Sequence, residues 1–231
     1  MASLRIAEIF ESLQGEGIWT GTPSVFVRVS GCNLRCTWCD TPYASWQPEG
    51  PVLSVENVLA EVLAAAGPQT THIVITGGEP MIFPAVIELA TSFSERGMKI
   101  TIETAGTRFL DLPCDLMSIS PKLAHSTPDG AASERHERER LNFSVLRELV
   151  SHYHHQLKFV VRTDHIEADC AEIEAILEEV PNCQNISLMP EGTNSMELQT
   201  AAQVLAPVCL QKGWLLSDRL HIHLYGNTRG T

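Results

Sequence analysis

Residues 24–40 read Ser24-Val25-Phe26-Val27-Arg28-Val29-Ser30-Gly31-Cys32-Asn33-Leu34-Arg35-Cys36-Thr37-Trp38-Cys39-Asp40, an alternating apolar run that feeds directly into a loop carrying three cysteines. Val25, Val27 and Val29 share one face of the run and Phe26, Arg28 and Ser30 the other, the period of two that marks a strand. Spacings of four and then three residues let one loop wrap its thiolates around a single compact centre. Thiolates select zinc, copper(I) or iron–sulfur clusters. Structural zinc wants a fourth ligand, and neither Cys nor His lies between Asp40 and His72, so a distant residue would have to complete it. An iron–sulfur cube held by three cysteines keeps one iron open to bind and activate a ligand. Three loop cysteines without any metal would run against the habit of free Cys to sit in apolar cores.

Outward from this loop, the strand pattern Ile73-Val74-Ile75-Thr76 runs into the turn Gly77-Gly78-Glu79-Pro80. Taken alone, that turn is strand-ending punctuation. Its glycines would let backbone approach a ligand closely, and its carboxylate could accept hydrogen bonds from an ammonium. Further strands are expected at 99–103, 116–120, 157–162, 186–189 and 220–225, with helical patterns between most of them. Ser54 caps a predicted helix with Val55, Val58, Leu59, Val62 and Leu63 on one face. A second helix over 167–180 turns Ile173, Ile176, Leu177 and Val180 inward and Glu172, Glu174, Glu178 and Glu179 to solvent. Only Gly106 to Asp115 separates two of the strands, fewer residues than a parallel crossover helix usually needs. The expected fold is therefore α/β, a partial, reduced βα barrel. Reactive groups gather at strand C-termini in such architectures, here Cys32 to Asp40, Gly77 to Glu79, Thr104 and Ser120 to Lys122. The charged segment 124–140 reads as a mobile loop or exposed helix with no chemistry.

The chain has 231 residues and a formal net charge of −12. That length supports one sizeable core, and with no linker a single domain over 1–231 is expected. No signal peptide and no run approaching a membrane span is visible, which points to a cytoplasmic location without a membrane partner. Seven cysteines, three clustered and four scattered (Cys114, Cys170, Cys183, Cys209), argue against a disulfide framework and for a reducing compartment. The acidic balance excludes a nucleic-acid partner, because phosphate binding needs clustered Lys and Arg. An anionic substrate must then be met by local cations.

The cysteine triplet with Trp38 just before its third member resembles the radical S-adenosylmethionine (SAM) enzymes, whose second signature is a Gly-Gly-Glu-Pro turn at a strand end. Within that superfamily the chain is similar to the 7-carboxy-7-deazaguanine synthase family of queuosine and deazapurine biosynthesis. Glu8 to Gly17, Gly21 to Arg28, Glu103 to Thr107, Ser118 to Lys122, Leu220-His221 and Leu224 to Gly230 carry the resemblance. It spans nearly the whole chain and is weakest over 123–152 and 167–185.

The resemblance implies a lyase using a 4Fe-4S cluster on Cys32, Cys36 and Cys39, whose open iron chelates SAM. One electron, from a donor such as a flavodoxin or ferredoxin, would cleave SAM to a 5′-deoxyadenosyl radical. That radical would remove hydrogen from 6-carboxy-5,6,7,8-tetrahydropterin, followed by ring contraction, loss of ammonia and regeneration of SAM. Trp38, Asp40, Gly78, Glu79, Thr104, Ser120, Pro121 and Lys122 would bind cofactor; Leu13, Gln14, Gly15, Arg28, Thr76 and His221 would bind substrate. Thr41 would hold Mg2+, as an oxygen ligand to a hard cation. No residue is assigned a separate catalytic role, and a homodimer is the candidate assembly. Read bottom-up, Thr41 is equally a turn hydroxyl, Gln14 a surface amide and Thr76 a packing residue. Arg28, on a strand buried on both faces, needs an anion, which the pterin carboxylate could supply. His221 and His223 are expected on one face of a strand, with His223 structural, and His152, His154 and His155 at a solvated helix end. An activase making a glycyl radical on a partner protein shares the cluster chemistry but gives no reason for Gln14 to Gly17 or Arg28. An electron carrier or zinc-stapled interaction module has no use for Gly77 to Pro80 or Ser120 to Lys122.

Overall fold

The computed structural model describes residues 2–231. Nine strands, β1 (Ser3–Leu13), β2 (Pro23–Val29), β3 (Val52–Ser54), β4 (His72–Gly77), β5 (Lys99–Thr104), β6 (Leu116–Ile119), β7 (His155–Val161), β8 (Ile186–Pro190) and β9 (Leu215–Leu216), form one sheet. Its order is β3-β1-β2-β4-β5-β6-β7-β8-β9. Every neighbouring pair from β2 to β9 is parallel, while β1 runs antiparallel to both β2 and β3. The sheet does not close on itself, so the architecture is the expected partial barrel. Among the described residues eight α-helices accompany it: α1 (Pro42–Ser45), α2 (Val55–Ala65), α3 (Ala85–Ser94), α4 (Ser133–Arg140), α5 (Phe143–His152), α6 (Ile166–Glu179), α7 (Ser195–Lys212) and α8 (Leu220–Tyr225).

The parallel strands are apolar on the face that helices cover, whereas Arg28, Thr76, Thr101, Glu103, Ser118, Gln156 and Lys158 alternate onto the other face. Val25, Val27, Val29, Ile73, Ile75, Ile100 and Ile102 join Phe93 of α3 and Val58 and Val62 of α2 in one continuous core. Ser54 caps α2 by accepting from the Asn57 amide. No helix bridges β5 and β6, whose connection is too short for one. Among the described residues, no helix is long and apolar enough to cross a membrane.

Five expectations are corrected. No strand is expected before the one at 24–30, yet β1 precedes it. In β1 Leu4 and Ile6 are buried, but a register shift between Ile6 and Glu8 moves the alternation by one residue. Ile9 then pairs with Val27 on the core side, while Glu8 and Phe10 stand opposite Arg28 and Phe26; such a bulge hides a strand from a strict period of two. Residues 220–225 form helix α8, not a strand, and only Ile222 in it is buried; six residues are too few for alternation to decide. Segment 124–140 is docked rather than mobile, with His136 buried and Arg140 bonded to the Lys122 carbonyl and to Glu172. Glu172 accordingly leaves the solvated face of α6. His155 is buried at the start of β7, its ring accepting from the Gln184 amide.

The packing sets a stability contrast. Phe93 is fully buried whereas Leu210 on α7 is 85% exposed. Phe93→Ala should cost about 3 to 5 kcal/mol by chemical denaturation, and Leu210→Ala should stay within about 0.5 kcal/mol of the parent.

Candidate active site at the strand ends

The cysteine loop begins where β2 ends, and the end of β4 is pressed against it. The Gly78 amide donates to the Val29 carbonyl at 3.1 Å, the Glu79 amide to the Gly31 carbonyl at 2.9 Å, and the Gly31 amide to the Ala44 carbonyl at 2.6 Å. Gly77 has φ +137°, and a side chain at Gly78 would overlap the Gly31 and Ala44 carbonyl oxygens. Glycine is required there by close approach as much as by conformation. Glu79, fully buried, then ties β4 to β5: Oε1 accepts from the Thr104 hydroxyl at 2.7 Å and the Met81 amide at 3.0 Å, Oε2 from the Ala105 amide at 2.7 Å. Burial raises this carboxyl above the usual range although those three donors oppose the rise.

Cys32, Cys36 and Cys39 pack with Leu34, Trp38 and Ala105 in a small apolar group of their own. Burial pushes the Cys32 thiol up to about 12, with the Glu79 carboxylate adding to the rise, and the Cys36 thiol up to about 11. Each would be eased by a cationic centre that all three share. Among the described residues no three His, Cys, Asp or Glu side chains converge tightly enough to hold a single ion. The three thiols nevertheless belong to one group on one loop, and three thiolates are a donor set that an iron–sulfur cluster accepts. Cys114, Cys183 and Cys209 pack in or against the main core, Cys170 is buried on α6, and all seven cysteines are free.

Beside the loop a cavity of about 310 Å³ opens at the strand C-termini. Leu13, Gln14, Gly15, Arg28, Trp38, Asp40, Thr41, Thr76, Gly78, Thr104, Ser120, Lys122 and His221 all line it. Two expected members do not: Glu79 faces the β5 backbone, and Pro121 is buried behind the rim. Gln14 is buried rather than a surface amide, and its Nε2 donates to Glu103 Oε1 at 3.3 Å. The Thr76 hydroxyl donates to Glu103 Oε2 at 2.7 Å. His221 reaches the basin from a helix, its Nδ1 so close to Gly15 that no side chain fits at that position; burial lowers its pKa, favouring the neutral ring. His223 points elsewhere, to Ser195 and Asp218. Thr41 precedes α1 without capping it, and its hydroxyl has Cys39 Sγ, at 3.9 Å, as a neighbour.

Arg28 has an anion within the chain. Its Nε donates to Glu8 Oε2 at 2.9 Å, and Glu8 also binds Tyr43 and Arg229. Burial of the guanidinium therefore does not by itself call for a ligand carboxylate. Lys122 differs: its Nζ donates to Ser120 Oγ at 2.9 Å and lies 5.3 Å from the centre of the Trp38 ring. It has no carboxylate partner among the described residues. Arg28, Lys122, Lys158, Arg219 and Arg229 together meet Glu8, Glu16, Asp40 and Glu103 in the basin, so the site is not acidic although the chain is.

Sequence reasoning missed the buried ion network on the floor. Glu16 pairs with Lys158 and Arg219, and Arg219 also pairs with Asp40. Burial would raise the Glu16 carboxyl, but Lys158 and Arg219 hold it well below the usual range. A signal existed: Lys158 stands inside the apolar run of β7, where a charge needs a partner. The final turn, Asn227 to Thr231, also lines the basin.

A family model described as the radical SAM superfamily matches residues 26–191. The chain is 41% identical over 244 residues to the 7-carboxy-7-deazaguanine synthase of Halobacterium salinarum, covering 99% of this chain and 93% of the relative. It is 42% identical over 236 residues to the enzyme of the same name from Rhodopirellula baltica, covering 100% and 90%. The solved structure of QueE from Escherichia coli superposes with a TM-score of 0.69 at 26% identity, covering 95% of each chain.

Glu16→Gln should destabilise the fold by about 3 to 5 kcal/mol at pH 7, because it strands buried cations. The native carboxyl is depressed, so its contribution is complete above the unfolded value of about 4.3 and is lost as pH falls toward the folded value. Denaturation midpoints of parent and variant should therefore converge progressively below about pH 4; a pH-independent gap would assign the effect to packing.

Proposed function

This chain belongs to the radical SAM superfamily and, within it, to the 7-carboxy-7-deazaguanine synthases, and from that premise we propose how its basin divides cofactor from substrate. The enzyme converts 6-carboxy-5,6,7,8-tetrahydropterin to 7-carboxy-7-deazaguanine with loss of ammonia. The activase reading is not favoured, because full-length relatives carry the synthase name. The observation that carries the site assignment is continuity: Trp38, Asp40 and Thr41 line the basin and flank Cys39, so the thiol group and the cavity share a wall.

Cys32, Cys36 and Cys39 hold the 4Fe-4S cluster that the family uses with SAM. When bound, cluster and SAM together supply a reductively generated carbon radical able to take a hydrogen atom from the pterin. Trp38, Asp40, Gly78, Thr104, Ser120 and Lys122 form the cofactor side. Lys122, with no carboxylate partner among the described residues, is the cation best able to meet a ligand carboxylate. Glu79 and Pro121 act from behind, Glu79 by fixing Thr104 and Ala105. Leu13, Gln14, Gly15, Arg28, Thr76 and His221 form the substrate side. There the Gln14 amide, the Glu103 carboxylate and the Thr76 hydroxyl present a bonded row of donors and acceptors to a heterocycle, and Glu8 fixes the direction of the Arg28 fork. Thr41, with no helix amide to cap, takes Mg2+ as one oxygen ligand among waters and substrate oxygens. The chain works as one radical SAM domain in the cytoplasm, with a flavodoxin or ferredoxin as electron donor and a homodimer as candidate assembly.

The direct assay is anaerobic: reconstituted protein with reductant, SAM, magnesium and 6-carboxytetrahydropterin should form the deazaguanine carboxylate. SAM cleavage that leaves the pterin untouched would return the activase reading.

Replacing any of Cys32, Cys36 or Cys39 by Ala should remove the broad iron–sulfur absorbance and all SAM cleavage, since three thiolates are already the minimum for the cube. A single variant keeping a stable four-iron cluster and full turnover would sink the ligand set. Cys114, Cys170, Cys183 and Cys209 changed together should leave the cluster in place.

Thr41→Ala should weaken magnesium dependence on the order of tenfold and lower turnover, with SAM binding nearly unchanged. An unaltered magnesium titration would move the ligand elsewhere, Asp40 being next.

A further inference from the structure

Segment 124–140 bonds to the cysteine loop at three alternate residues, 33, 35 and 37. Between Cys32 and Cys36, Asn33 Nδ2 donates to Glu139 Oε2 at 2.7 Å. Also between them, the Arg35 amide donates to His136 Nδ1 at 3.0 Å. Between Cys36 and Cys39, the Thr37 amide donates to the Ser126 carbonyl at 2.9 Å. A backbone amide can only donate, so His136 Nδ1 must be the acceptor and Nε2 must carry the proton. Nε2 meets Ser126 Oγ at 2.9 Å, and that hydroxyl donates onward to the Leu123 carbonyl at 2.6 Å. One direction of donation runs from the cysteine loop through the imidazole to the end of the loop after β6. His136 is 1% and Ser126 0% exposed, so neither bond has water to replace it. The ring is the one buried residue of a helix that is otherwise polar and charged.

We propose that Ser126, His136 and Glu139 form a clamp that holds the cysteine loop in its ligating shape, with His136 a positioning residue for the cluster. A loop that must present three thiolates to separate irons gains from being fixed before the cluster arrives, because ordering it afterwards would subtract from cluster affinity. The held residues, 33, 35 and 37, are none of the three cysteines, so the bonds fix the backbone of the loop without engaging a thiol. Asn33 is also held by Thr107, its Nδ2 donating to Thr107 Oγ1 at 3.1 Å, whereas the Arg35 amide depends on His136. The His136 bond is therefore the arm whose loss should matter most. The inference rests on the assignment of Cys32, Cys36 and Cys39 as ligands.

The test reads iron release rather than turnover. Full-length protein is reconstituted anaerobically, and transfer of iron to a ferrous chelator is timed for the parent and for His136→Ala, His136→Asn, His136→Gln and Glu139→Ala, with thermal melting of each. Asn places an oxygen where Nδ1 stood and can accept from the Arg35 amide; Gln reaches only toward Ser126. Loss of one buried hydrogen bond predicts roughly threefold to tenfold faster release for the Ala and Gln variants, a rate near the parent's for Asn, and a smaller acceleration for Glu139→Ala. Release at the parental rate from a folded His136→Ala protein would overturn the clamp. Equal acceleration in all three His136 variants, tracking a common fall in melting temperature, would also overturn it by assigning the effect to packing. If His136→Ala does not fold, Glu139→Ala decides: faster release supports the clamp, the parental rate refutes it. A parent chain that takes up no cluster would instead overturn the ligand assignment, a failure distinct from a cluster that assembles and is indifferent to the clamp.

Discussion

The close contact between the end of β4 and the start of the cysteine loop governs the geometry of everything above the sheet. Two amides of the Gly-Gly-Glu turn donate to carbonyls at the end of β2 and in Gly31, and no Cβ fits between Gly78 and the Gly31 and Ala44 carbonyls. The buried Glu79 carboxylate carries the constraint across to β5, through Thr104 and Ala105. The Ser120 amide continues it to β6 by donating to the Thr104 carbonyl. Four strand ends are thus stitched into one rim whose groups cannot drift independently. A signature that reads as a cofactor contact serves here first as the joint of the rim.

That rim separates two kinds of polarity. On the cysteine side the surroundings are apolar, and burial favours the neutral thiols of Cys32 and Cys36. Within the basin, cations and carboxylates are interleaved, nearly all of them already paired: Arg28 with Glu8, Lys158 and Arg219 with Glu16, and Arg219 with Asp40. Pairing within the chain holds the walls rigid and leaves Lys122 as the cation without a side-chain counter-charge. A ligand entering such a preorganised site meets dipoles and charges that need little rearrangement.

Much of this was legible in the sequence because it rests on short-range rules. The alternating run into Cys32, the glycine turn after Ile75 and the strand at 99–103 each carry a period or a punctuation mark that survives in any context. What escaped was set by tertiary contact. The bulge in β1 broke the alternation that would have shown an eleven-residue strand. Residues 220–225 alternate like a strand yet coil, because a short segment docked by its Leu220 amide onto the Gly15 carbonyl follows its neighbours. Segment 124–140 looked solvated because all eight of its helical residues are polar or charged, yet His136 is buried against the loop and Glu139 and Arg140 bond inward to Asn33 and the Lys122 carbonyl. The anion for Arg28 was correctly demanded by burial, but nothing in the spacing pointed to Glu8 across the sheet as its source.

The central claim is that cluster, SAM and pterin meet in the single basin at these strand ends, close enough for a hydrogen atom to pass directly between the two ligands. Turnover of 6-carboxytetrahydropterin deuterated at its saturated ring carbons, followed by mass spectrometry of the recovered SAM, measures that passage. Deuterium appearing in the SAM during deazaguanine formation is the predicted result. Full turnover with SAM that stays unlabelled would contradict the account.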